Sequence, residues 1–177
     1  MMLKRKIQNK LTDFANEVKS NHPVLTTIPS AGKVCMFFSF NTLQQWQEQA
    51  AIVKNWENGM LEKCTIFCYI NSYKVNDTLK MSSSNVCLIS KKDFSFMGDI
   101  SKQILPKLNQ PFDLLIDMSA NVDEHVLLLQ ASTPAKLRVG RNPQQAMSYD
   151  MVVSVDDSQP IAFYLTQVEK YLTQLAK

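Results

Sequence analysis

Asp117 is the residue of this 177-residue chain best placed to do chemistry. It closes the apolar run Leu114, Leu115, Ile116 and precedes Met118 and Ser119. A carboxylate at the end of such a run can act as a general base, or accept a hydrogen bond from a hydroxyl or amine. Its plainer reading is a cap on the following helix, or a partner for Arg138 or Arg141. Ser39, Asn41, Asn71, Ser90, Ser119 and Arg141 also stand at or just past the ends of apolar runs. In an open α/β sheet those positions face ligands, because binding occurs outside the carboxyl ends of the strands, where the strand order reverses. With Asp117 they are the candidate ligand-facing residues, and none is assigned a catalytic role. Ser119 lacks the G-x-S-x-G elbow and a partner histidine nearby in sequence. His125 reads as a partly exposed residue one turn into a helix, and His22, beside Pro23, as a solvated loop residue.

Metal and cofactor chemistry find less support. Cys35, Cys64, Cys68 and Cys87 fall in or beside apolar strand-like runs, where free cysteine packs as a small hydrophobe. On a strand, Cys64 and Cys68 would point the same way but sit roughly 13 Å apart. Neither histidine accompanies a second pair, so no metal site is expected. Disulfides would need an oxidising compartment, which nothing else in the sequence supports. The turn Ser39, Phe40, Asn41, Thr42 has no glycine to admit a phosphate, and neither GxGxxG nor GxxxxGK[ST] occurs. No cofactor is expected, and Asn41 and Thr42 read as helix caps.

The elements that must position these residues follow from hydrophobic patterning. Continuous apolar runs at Val34 to Phe40, Cys64 to Ile70, Asn85 to Ile89 and Phe112 to Ile116 predict strands covered on both faces. Ala135 to Val139, ended by Gly140, predicts a fifth strand, and Tyr149 to Val155 a sixth. A helix with Leu43, Trp46, Ala50 and Val53 on its buried stripe should follow the first strand and stop at Gly59. A short helix is expected over Ile104, Leu105 and Leu108. Asn121 with Glu124 has capping-box character and predicts a helix from about Val122, stopped by Pro134. The last helix should begin after Asp156, Asp157 and Ser158, with Pro160 in its first turn. It carries Ile161, Leu165, Val168, Leu172 and Leu175 on one face, a heptad-like stripe that suits either core docking or a homodimer seam. Residues 72 to 84 are polar and serine-rich and read as an exposed excursion. Phe94, Phe96 and Met97, near Gly98, form an apolar cluster that either packs over the sheet or faces a ligand. Alternating strands and helices predict an α/β fold, an open, mostly parallel six-stranded Rossmann-like sheet with helices on both faces. Right-handed crossovers favour the order 3-2-1-4-5-6.

Composition agrees with one soluble domain. A chain of this length buries roughly 70% of its unfolded surface around one core. Hydrophobic content of 45% and charged content of 20% are ordinary. A net charge of +3 does not indicate a nucleic-acid partner. No apolar run approaches the roughly 20 residues of a membrane span, and no secretory signal is recognisable, so a cytoplasmic protein is expected. Residues 1–19 form an expected amphipathic helix, with Leu3, Ile7, Leu11, Phe14 and Val18 on one side and Lys4, Arg5, Lys6 and Lys10 on the rest. It either docks on the domain or meets an acidic partner or anionic membrane, which would make the protein peripheral to the inner membrane. Residues 20–33, with two prolines and a glycine, read as a connector, and residues 34–177 as the domain.

The pieces SKKDFSFMG, PFDLLIDMS, LLLQASTPAKLRVGR and YDMVVSV, in this order and spacing, resemble a family of short bacterial proteins with a domain of unknown function. The resemblance covers nearly the whole chain and implies fold and boundaries, but no activity and no catalytic residues. Met97 stands where that family usually has an aromatic, and Thr133-Pro134 interrupts its small-residue turn. A more distant similarity is to the N-terminal half of heptosyltransferase-like glycosyltransferases, in which a second domain holds most of the sugar nucleotide. The expected function is a non-catalytic binding or interaction module. The alternative is a glycosyltransferase-like or nucleotide-sugar-binding half-domain that a partner or second copy completes.

Overall fold

The computed structural model describes residues 8, 9, 12, 13, 16, 23–42, 44–49, 63–73, 85–96, 98–119, 123–141, 149–156 and 158–176. Six strands, β1 (Val34–Phe40), β2 (Cys64–Ile70), β3 (Val86–Ser90), β4 (Phe112–Asp117), β5 (Ala135–Gly140) and β6 (Met151–Val152), form one sheet in the order β3-β2-β1-β4-β5-β6. Every neighbouring pair is parallel. The described helices include α1 (Leu105–Leu108), α2 (Glu124–Ala131) and α3 (Ile161–Leu175), and residues 44–49 are also helical.

Alternation along each strand feeds two apolar layers, which is why the strands read as continuous apolar runs. Met36, Phe38, Ile66, Cys68, Leu114, Ile116, Leu137 and Val139 pack with Trp46 and with Tyr164, Leu165, Val168 and Leu172 of α3. Cys35, Phe37, Phe67, Cys87 and Leu115 pack on the other face with Leu108 of α1 and with Val126 and Leu129 of α2. Phe37 and Phe67 stack there with ring centroids 4.9 Å apart. Each such side chain contributes about 1.5 to 3 kcal/mol by leaving water. All four cysteines are free and buried, and burial pushes the Cys64 thiol up to about 12, so it stays protonated.

Several sequence expectations shift. The helix after β4 is capped by Asp123, whose carboxylate accepts from the His125 amide at 2.8 Å, and it begins at Glu124. The expected capping residue Asn121, with Val122, lies outside the described residues. His125 is therefore in the first turn and not one turn in. The sixth strand shrinks to Met151–Val152 because the ladder beside β5 is partly built by a side chain: Asp150 Oδ2 accepts from the Arg138 amide at 2.8 Å. The last helix starts at Ile161, with Pro160 at its cap position. Its stripe is spent on the core through Leu165, Val168 and Leu172, while Leu175 is exposed. Ile28 and Ala31 of the connector are buried in the core, so that segment is tied to the domain. Phe94 is half-buried and Phe96 is 86% exposed, which splits the expected aromatic cluster. Among residues 1–19, those described are helical and exposed. The apolar stripe and the cations predicted for that helix lie outside the described residues, as do His22, Leu43, Ala50, Val53, Gly59, Met97 and residues 74–84.

Candidate functional site

Asp117 is the last residue of β4 and is only 1% exposed. Its Oδ1 accepts from the Ser119 amide at 2.9 Å, and its Oδ2 accepts from the Tyr149 hydroxyl at 2.5 Å. Both of these donors are neutral, so its hydrogen bonds come from neither Arg138 nor Arg141, the ion-pair half of the plainer sequence reading. Burial pushes its pKa up, opposed by the hydrogen bond from Tyr149 and then by the Gln130 and Ser119 side chains. Tyr149 reaches this point across Gly140: a Cβ there would fall 2.1 Å from the Tyr149 ring, so only glycine leaves the ring its place. The same hydroxyl lies 3.1 Å from Gln130 Oε1. Its single proton serves the shorter bond to Asp117.

Several polar atoms at this end of the sheet have no well-formed hydrogen bond. Ser119 Oγ, Gln130 Nε2, Arg141 Nε and Tyr164 Oη are buried without a hydrogen-bond partner. Ser119 Oγ sits close enough to lower the Asp117 pKa slightly, but without hydrogen-bond geometry. Tyr164 arrives from α3; burial and then the Asp117 charge push its phenol up, while Arg141 acts the other way. The Arg141 guanidinium carbon is 5.5 Å from the centre of the Tyr164 ring. Arg141 extends from the end of β5, and one terminal nitrogen makes only a 3.5 Å contact with the Asp156 carbonyl. Buried polar groups are ordinarily paired, so four orphans on Ser119, Gln130, Arg141 and Tyr164 are an unusual concentration.

The other candidates lie apart from this centre or are otherwise engaged. Ser39 is half-buried within β1, opposite Tyr69. Asn41 is exposed and its amide donates to Gln45 Oε1 at 2.9 Å, while Thr42 Oγ1 accepts from the Gln45 amide and caps the helical residues 44–49. Asn71 follows β2; its amide donates to the Phe40 carbonyl and its Oδ1 is a buried orphan. Ser90 caps a short turn and exchanges hydrogen bonds with Asp93.

A second grouping sits near the end of β2. The His125 ring stacks on Tyr69 at 5.3 Å and meets Phe94 edge-on at 4.7 Å, and its Nδ1 lies 3.2 Å from Asp123 Oδ1. Burial opposes ionisation of Asp123, but the His125 hydrogen bonds outweigh it and hold the carboxyl below its ordinary value. The described residues contain no group of three or more His, Cys, Asp or Glu able to hold a metal ion. No described helix is long and apolar enough to cross a membrane.

Sequence reasoning located Asp117, Ser119 and Arg141 at this edge but missed Gln130, Tyr149 and Tyr164. The one available signal was Gly140, since a glycine at the end of a strand marks close approach of another group. Compared with known protein families, residues 1–175 match the family of unknown function DUF6913. No curated protein and no solved structure matches the chain.

Proposed function

The chain belongs to this family of unknown function, so its role must be argued from its own atoms, and we propose that it is a non-catalytic module that binds a small polar ligand at the carboxyl ends of β4 and β5. The observation that supports this is the set of orphaned buried groups Ser119 Oγ, just past β4, Arg141 Nε, just past β5, and Tyr164 Oη on α3. Leaving a buried donor or acceptor unmade costs about 1 to 3 kcal/mol, a cost a ligand with matching groups removes. The site lies at the carboxyl end of the sheet, one strand beyond the β1–β4 point where the strand order reverses. Asp117 is held by the Ser119 amide and Tyr149, and it serves as a fixed acceptor wall.

The nucleotide-sugar half-domain reading has less behind it. The turn after β1 has no glycine, and the Asn41 amide a phosphate would use is taken by Gln45. A thermal-shift screen of the full chain with nucleotides, nucleotide sugars, sugar phosphates and neutral sugars separates the two. Stabilisation by one class that disappears in Ser119→Ala and Asp117→Asn is expected. Stabilisation confined to nucleotide sugars supports the half-domain, and silence across every class removes the binding reading.

A further inference from the structure

The two buried arginines of the carboxyl half are treated differently. Arg138 is 6% exposed and donates to the Gln130 carbonyl at 3.1 Å and to the Thr133 carbonyl at 2.5 Å, so its charge meets the negative end of α2. Arg141 is as deeply buried at 5% exposed, but its Nε has no partner and, among the described residues, its one side-chain hydrogen bond is the long contact with the Asp156 carbonyl. No carboxylate among the described residues pairs with it. The Asp117 carboxylate takes its hydrogen bonds from Tyr149 and the Ser119 amide, not from Arg141. Asp156 turns its own carboxylate to the Ser158 amide at 2.8 Å. A guanidinium removed from water without a counter-charge is costly, and stacking on one tyrosine ring offsets only part of that.

Building on the binding reading above, we propose that the ligand carries one oxyanion, a phosphate ester or a carboxylate, which seats against Arg141 Nε beside the Tyr164 hydroxyl. The guanidinium presents a planar fork that matches such a group, and Tyr164 Oη is a second donor with no other use. The Ser119 hydroxyl then reads the neutral remainder of the ligand.

Calorimetric titration of the full chain tests this with inorganic phosphate, acetate and a neutral sugar as probes, on the natural protein, Arg141→Gln and Arg141→Lys. Phosphate or acetate binding should weaken at least tenfold in Arg141→Gln, and Arg141→Lys, which keeps the charge but not Nε, should fall between. Which of the two anions binds more tightly separates a phosphate ester from a carboxylate. Without ligand, Arg141→Gln should melt at the same or a higher temperature, whereas a purely structural arginine would lower it. Equal anion binding in Arg141→Gln overturns the proposal. If the neutral sugar binds and loses its affinity in Ser119→Ala while neither anion binds, the site stands and the anion is wrong. If no probe binds the natural protein, both readings go.

Discussion

Strand β4 carries Asp113 near its start and Asp117 at its end, four residues apart and so on the same side of the strand, and the two ends of the sheet use them in opposite ways. Asp113 is fully engaged: Oδ2 accepts from the Gly32 and Lys33 amides at 2.9 and 3.0 Å, and Oδ1 meets Lys136 Nζ at 2.7 Å. Those bonds, that from Lys136 first, hold its carboxyl below the usual value of 3.8. They lace the connector, β4 and β5 together at the amino end. Asp117 is buried and pushed up by that burial, and buried polar atoms without a well-formed hydrogen bond stand at the same end of the sheet. A folding device satisfies its own polar atoms, while a site built for something else leaves some of them open. The difference separates structure from candidate function within one strand.

The largest effect should come from closing the space that assembles the carboxyl end. Gly140→Ala places a methyl inside the Tyr149 ring and should cost about 3 kcal/mol in urea unfolding, with the Asp117 hydrogen bond lost. A cost near zero would mean that Tyr149 moves freely and the carboxyl end is not a built arrangement. Asp113→Ala should cost about 1 kcal/mol at neutral pH, modest because the group is partly exposed.

The pH profiles of the two aspartates should run in opposite directions. Asp113 ionises more readily when folded, so its contribution is present above 3.8 and fades as the pH falls through its lowered value. Asp117 holds its proton more tightly when folded, so stability is lost as the pH rises from 3.8 through its raised value. Asp117→Asn should remove that loss, and Asp113→Ala should remove the acid-side loss. Parallel profiles, read from denaturation midpoints between pH 3 and 7, would erase the contrast. The smallest effect is expected for Ser119→Ala, within about 0.5 kcal/mol and of either sign without ligand, because the hydroxyl it removes bonds to nothing. A large loss there would show that Ser119 serves the fold.

Much of the architecture was legible. Runs such as VCMFFSF and CTIFCYI can satisfy apolar side chains on alternating faces only between two covered layers, which makes the sheet parallel and places helices on both faces. The order β3-β2-β1-β4-β5-β6 followed from right-handed crossovers. Element ends were less legible, because a cap depends on one hydrogen bond: here the Asp123 carboxylate accepts from the His125 amide and the helix begins at Glu124. The sixth strand was overread for a similar reason, since Asp150 occupies a ladder position with its side chain.

By itself, the sequence determined the sheet, its order, and the placement of Asp117, Ser119 and Arg141 at strand ends, because periodicity and chirality act locally along the chain. Only the tertiary structure decided what those residues meet. Tyr149 comes from 32 positions beyond Asp117, Tyr164 from a helix docked on the other face, and the room between them from the absent side chain of Gly140. Whether a polar atom is paired or orphaned depends on groups brought together through space, and no local pattern carries that information.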